Sequence, residues 1–136
     1  MKCCAVVDTN VIVSALLSKK DDVATIQVLC AMLGGCFTPL YHVDILDEYE
    51  EVLHCPKFRL SEVVIRTVIT AIKQYGIEVF PRSTGEILAD MDDLVFYEVA
   101  MEKREDGAYL VTGNQKHYSV RDFIVTSAEM MEILNR

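Results

Sequence analysis

Carboxylates and amides recur at the ends of apolar segments in this chain. Asp8-Thr9-Asn10 follows one apolar run, Thr112-Gly113-Asn114 follows another, and Asp90-Met91-Asp92-Asp93 precedes a helical stretch. A further stretch carries Asp44, Asp47, Glu48 and Glu51. No Lys or Arg stands next to the first three clusters. Carboxylates aimed at one crevice repel one another, and a divalent cation relieves that repulsion. All-oxygen ligands suit the hard ions Mg²⁺ or Mn²⁺. Such a site acidifies water and stabilises an in-line displacement at phosphorus. Metal-assisted, in-line phosphoryl displacement by water is therefore the chemistry these residue types point to.

The elements that must position them can be read from patterning. Apolar runs at 3–7, 36–40, 77–80, 108–111 and 123–125 are mostly continuous, as expected of strands covered on both faces. Pro39 weakens the second run and suggests that pairing ends there. Val23, Ile26, Cys30 and Leu33 recur at helical spacing, and Gly34-Gly35 stops that helix. Ile45, Leu46, Tyr49, Val52 and Leu53 mark a second helical stripe, ended near Cys55 by Pro56. Ser61 is the expected N-cap of a helix carrying Val64, Val68, Ile72 and Tyr75, closed by Gly76. Asp92 or Asp93 opens another, ending near Asp106-Gly107, and Ser127 caps a last one with Met130 and Leu134. Strand–helix alternation predicts an α/β fold: three layers, α/β/α, around a central, mostly parallel sheet of four to five strands, with residues 1–136 forming a single domain. Ligands of such sheets bind beyond the carboxyl ends of the strands, where Asp8 and Thr112 to Asn114 fall.

Composition narrows the function classes. The chain is 51% hydrophobic and 25% charged with a formal charge of −8, a globular profile that argues against disorder or a coiled coil. No uncharged apolar run reaches the ~18 residues of a membrane span. An Asp already at position 8 comes too soon for a signal peptide, so the expectation is a cytoplasmic protein with no membrane partner. Five cysteines with no C-x-x-C pair read as buried reduced thiols rather than a zinc site or disulfide framework. Neither half of the chain is basic on balance. Contacts with a polyanion must therefore be local or relayed by metal.

On a helical wheel, Asp44, Asp47, Glu48 and Glu51 fall within one arc of ~100°. Glu48 borders the buried stripe on one side and Glu50 on the other. The wheel alone does not choose between them.

These residues carry a resemblance to PIN-domain proteins, in particular the toxin ribonucleases of bacterial toxin–antitoxin pairs. The family opens with an apolar strand, Asp-x-Asn and a helix, and VVDTNVIVSALL is similar. Its second acid is a Glu in the helix after the second strand, where HVDILDEYEEVL has Glu48. Its third opens a helix in the pattern D-x-x-D-x-x-F-x-E-x-A, which DMDDLVFYEVA matches with Asp93 as the acid and Asp90 as an accessory. Its last motif is Val-Thr-Gly-Asp or Val-Thr-Gly-Asn followed by a basic residue or His, and VTGNQKHY matches. Two positions depart from the commoner pattern. Asn114 stands where many members have Asp, lowering the charge of the site, and His42 stands where a Ser or Thr often orients the Glu.

The resemblance implies a PIN-like fold and Mg²⁺- or Mn²⁺-dependent endoribonuclease activity leaving 5′-phosphate ends. Asp8, Glu48 and Asp93 would hold the metal. Asn114 would position the nucleophile or bind the ion through water. Asn10 and Thr112 would steady the carboxylates. Lys116 and His117, basic groups on the loop of the last motif, are the candidate RNA contacts. The implied partners are an RNA substrate, a small basic antitoxin protein and a second copy of the chain in a homodimer. The alternative is a PIN fold with little or no turnover that acts as an RNA- or protein-binding module, which the neutral Asn114 allows.

Each residue also has a plainer reading. Asp8 and Asp92 or Asp93 are good helix caps, Thr112-Gly113-Asn114 is a good turn, and a lone Glu48 is ordinary helix surface. His54 suits a helix C-terminus. Lys19-Lys20, Lys57-x-Arg59 and Lys116-His117 are ordinary surface singly and a phosphate track only as a set. Other acidic α/β modules fit less well. A phosphorylated receiver domain needs paired acids after the first strand and an Asp after the third, and a haloacid-type phosphatase needs Asp where Asn10 stands. No glycine pattern supports a P-loop or dinucleotide fold.

Overall fold

Ala5 and Val6 are wholly buried and Val7 nearly so, which places the first strand at the centre of the core. The computed structural model describes residues 3–17, 23–118 and 121–136. Among them the elements run β1 (Cys4–Val7), α1 (Thr9–Leu16), α2 (Val23–Leu33), β2 (Thr38–Tyr41), α3 (Val43–Leu53), α4 (Glu62–Tyr75), β3 (Ile77–Glu78), α5 (Leu94–Glu102), β4 (Tyr109–Val111), β5 (Ile124–Val125) and α6 (Ser127–Leu134), with short 3₁₀ turns between. The five strands form one parallel sheet in the order β3-β2-β1-β4-β5. Helices flank it, giving the three-layer α/β/α architecture expected. The chain leaves β1 toward β2 and returns to the other side of β1 as β4. The topological switch point therefore lies between the ends of β1 and β4.

Three local expectations are corrected. Pairing does not stop at Pro39: β2 continues to Tyr41, with Ala5 opposite Pro39, Leu40 opposite Ile77 and Tyr41 opposite Glu78. The Thr38 amide bonds to Cys3 O on the β1 side at 2.8 Å. Backbone alternation then turns the Pro39 nitrogen toward the β3 side, before β3 pairing begins, so no ladder bond is lost. Gly76 sits at that junction. A Cβ there would lie 2.3 Å from Ile72 O and 2.6 Å from Pro39 O, so only glycine lets α4 turn into β3 so close to β2.

The second correction concerns α2. Its buried residues are Val28, Leu29, Ala31 and Met32, while Val23, Ile26 and Cys30 are exposed. The helix is apolar nearly all round, so spacing alone does not select its inward face. Cys36, in the turn before β2, is exposed as well, so the thiols are free but not all buried. Third, the cap of α6 is Thr126 rather than Ser127. Thr126 and Glu129 form a reciprocal capping box, and Ser127 is buried behind it.

The Ser61 cap is as expected, its hydroxyl accepting from the Val64 amide at 3.2 Å. The stripe on α3 also holds, with Ile45, Tyr49 and Leu53 buried. Tyr49 and Phe96, from α3 and α5, meet at a ring-centroid distance of 6.2 Å. Each ring buries enough apolar surface to contribute about 1.5–3 kcal/mol. That contact joins the two helices that carry Glu48 and the Asp93 turn. No helix among the described residues is long and apolar enough to cross a membrane. Lys19-Lys20 lies outside the described residues.

Candidate active site

Asp8 is the residue immediately after β1. Its amide continues the ladder by donating to Val111 O of β4 at 2.9 Å. Asp8 occupies the N-cap position of α1, yet its side chain makes no capping hydrogen bond. The carboxylate instead accepts from the Thr112 hydroxyl at 2.8 Å, across the β1–β4 switch point. Both residues are buried, Asp8 at 4% and Thr112 at 0% exposure. Burial pushes the Asp8 carboxyl above the ordinary carboxylate range. The Thr112 hydrogen bond holds it back most, and the nearby Asn10 and Thr9 amides, short of capping geometry, lower it less.

Glu48 reaches the same crevice from α3. Its carboxylate accepts a hydrogen bond from the Thr9 hydroxyl on the first residue of α1. The buried Tyr49 hydroxyl donates to Val7 O at the end of β1, which ties α3 to the strand that delivers Asp8. Burial raises the Glu48 pKa. The Thr9 hydrogen bond lowers it, and the charges of Asp8, Asp93 and Asp92 raise it further. Glu50 points elsewhere, to an exposed ion pair with Arg66 of α4. The ambiguity of the helical wheel is thereby resolved by side-chain position.

Asp93 closes the 3₁₀ turn Met91–Asp93 that leads into α5. It too sits at an N-cap position without a capping hydrogen bond, and its carboxylate meets His117 Nδ1 at 3.3 Å. Burial raises its pKa first, then the charges of Asp8 and Asp90, against the lowering effect of His117. Asp90 performs the capping instead, accepting from the Asp92 amide at 3.0 Å.

Asp8, Glu48 and Asp93 therefore share one electrostatic neighbourhood, although they come from three separate stretches of chain. Thr112 belongs to it directly. His117 joins through Asp93, while Lys116 is exposed on the same 3₁₀ turn. Asn10 and Asn114 line a neighbouring pocket of about 300 Å³ with Ser14, Thr25 and Ser127. The Asn114 amide donates to Thr112 Oγ1 at 3.0 Å, so the Val-Thr-Gly-Asn turn is folded onto the same hydroxyl that holds Asp8. His42 caps α3 by accepting from the Asp44 amide at 3.2 Å. The hydroxyl on Glu48 comes from Thr9, not from the position of His42. Of the basic groups elsewhere, Lys57 lies over the Phe58 ring at 5.1 Å, and His54 bonds Glu50 O and Glu62 at the end of α3.

Sequence reasoning did not single out Thr9, Tyr49 or Tyr118 for the site. Thr9 was legible only as a good cap, and Tyr49 only as core. Tyr118 closes the VTGNQKHY segment, and its buried hydroxyl lies among the same acids.

The donor set suits a hard dication: carboxylate oxygens, partly desolvated, raised in pKa first by burial and, at Glu48 and Asp93, further by neighbouring carboxylates. Among the described residues no three His, Cys, Asp or Glu side chains are gathered closely enough to share one ion. Each of the three acids is turned to its own hydrogen-bond partner instead.

A PIN-domain family model matches residues 4–116, and the chain belongs to the PIN-domain family. Membership implies nuclease chemistry in general terms, in a family that generally works with divalent metals. A comparison with curated proteins finds no match.

Proposed function

We propose that this chain is an Mg²⁺- or Mn²⁺-dependent endoribonuclease and the toxin of a toxin–antitoxin pair. The observation that carries the reading is the approach of Asp8, Glu48 and Asp93 beside the β1–β4 switch point, where the charge of Asp8 raises the pKa of both Glu48 and Asp93 and that of Asp93 raises Glu48. Asp8, Glu48 and Asp93 are the residues that would hold the ion, their side chains closing on it from the separate hydrogen bonds they now make. When bound, it neutralises phosphodiester charge and acidifies water. Thr112 engages one Asp8 oxygen and so fixes the rotation of that carboxylate. Thr9 does the same for Glu48, and His117 for Asp93. Lys116, exposed beside His117, binds a flanking phosphate. Asn114 and Asn10 present neutral donors and acceptors to the attacking water or the ribose.

The same crevice favours a basic protein segment, with an Arg guanidinium seated among the carboxylates, as an inhibitory antitoxin contact. A homodimer completes the proposed assembly. The test is cleavage of a single-stranded RNA with Mn²⁺ or Mg²⁺ against a chelator control, with product ends mapped. Ion-dependent products ending in 5′-phosphate support the reading. Tight RNA binding with no ion-dependent product would replace it by the binding-module alternative.

A further inference from the structure

Tyr118 is 5% exposed, yet its hydroxyl is a buried polar atom with no hydrogen-bond partner among the described residues. Leaving a buried hydroxyl unpaired costs stability, and native proteins rarely do so without a ligand or water to meet it. The surroundings say what kind of atom is missing. The charges nearest in effect are Asp8, Asp93 and Glu48. Asp8 lies near enough to act on the phenol as a hydrogen-bond neighbour, yet neither it nor any other acceptor among the described residues meets the Tyr118 hydroxyl at full hydrogen-bonding geometry. Burial and those three charges hold the phenol well above its usual pKa, so it remains a neutral donor at any working pH. A neutral donor inside a cluster of acceptors complements an oxygen atom that enters the site from outside.

We propose that Tyr118 is a positioning residue whose hydroxyl donates to an exogenous oxygen, either a water or a phosphodiester oxygen, seated beside Asp8. The inference deepens the nuclease reading and rests on it for the identity of the substrate, but the unpaired hydroxyl is a property of the folded chain itself.

The experiment compares Tyr118→Phe with the wild type in three measurements. Thermal unfolding in chelator comes first. The variant keeps the ring and deletes an unpaired hydroxyl, so its melting temperature should be equal or higher; a clear drop would mean that the hydroxyl has a partner within the protein, and would overturn the proposal. Mn²⁺ titration by calorimetry and RNA affinity in Ca²⁺ come next. Weaker Mn²⁺ binding, by ~3-fold or more, identifies the oxygen as water. Unchanged Mn²⁺ binding with weaker RNA binding identifies it as a phosphodiester oxygen. Turnover completes the set, with a fall of ~10-fold or more expected. A variant equal to wild type in Mn²⁺ affinity, RNA affinity and turnover refutes the role. Absence of wild-type cleavage would sink the nuclease reading separately, because the binding and stability comparisons would still report on the hydroxyl.

Discussion

The Thr112 hydroxyl donates to the Asp8 carboxylate at 2.8 Å although 104 positions separate them in the chain. Each residue is the first beyond its strand, and the strands are neighbours in register, Val7 opposite Val111. Parallel pairing of β1 with β4 thus converts two distant polar strand ends into one contact. With one carboxylate oxygen on Thr112, Asp8 makes no capping hydrogen bond of full geometry to α1.

Thr112→Val should therefore leave a buried carboxylate without its strongest stabilising partner. At neutral pH the expected loss is about 1–3 kcal/mol of folding stability, read from urea unfolding in chelator. Thr112→Ser should restore most of it. A Val variant as stable as wild type would show that the hydrogen bond contributes nothing.

Asp8→Asn should abolish cleavage while leaving the chelated protein equally or more stable, since Asn keeps the acceptor for Thr112 and removes a buried charge. Full activity at matched Mn²⁺ would remove Asp8 from the mechanism.

The pH dependence of stability follows from the burial of these acids, with carboxylate repulsion added at Glu48 and Asp93. Asp8, Glu48 and Asp93 all titrate above their ordinary values of 3.8, 4.5 and 3.8 in the folded protein. Between the unfolded and folded pKa values the native state holds more protons than the unfolded chain. Their contribution is thus fully present below the unfolded pKa and is lost as pH rises through the folded one. In chelator, wild-type stability should fall relative to Asp8→Asn as pH rises upward from about 4. Mn²⁺ should reverse that fall by binding the ionised acids. A constant difference between the two proteins across the range would contradict the shared acidic site.

Thr9 should matter to metal rather than to folding. Thr9→Val removes the donor that orients Glu48 and should weaken Mn²⁺ binding by about 10-fold, while Thr9→Ser should not. Calorimetric titration of the two variants decides the point. Equal affinities for Val and Ser would show that Glu48 needs no such restraint.

Glu48 and Glu50 separate function from surface. Glu48→Gln should remove cleavage. Glu50→Gln breaks an exposed ion pair with Arg66 and should leave cleavage unchanged, with little change in the urea midpoint. The reverse pattern would place the second acid on the other side of α3.

The sequence by itself determined the class of fold, the order of strands and helices along the chain, and the strand-end positions of Asp8 and Thr112. Those features rest on local regularities: continuous apolar runs, helix stops such as Gly76, and a capping side chain such as Ser61. It also determined Asp8 and Asp93 as candidates, through motif patterns that are local as well. Periodicity failed on α2, where an all-round apolar helix has no preferred face until α1, α4 and α6 pack against it. It was silent between Glu48 and Glu50, because both flank the same buried stripe. Only the tertiary structure decided that choice, by laying α3 across the end of β1 with Tyr49 on Val7 O, which brings Glu48 to Thr9 and leaves Glu50 to Arg66. Tyr118 became visible in the same way. A missing hydrogen bond is a property of everything that surrounds an atom, and no spacing within one segment encodes it.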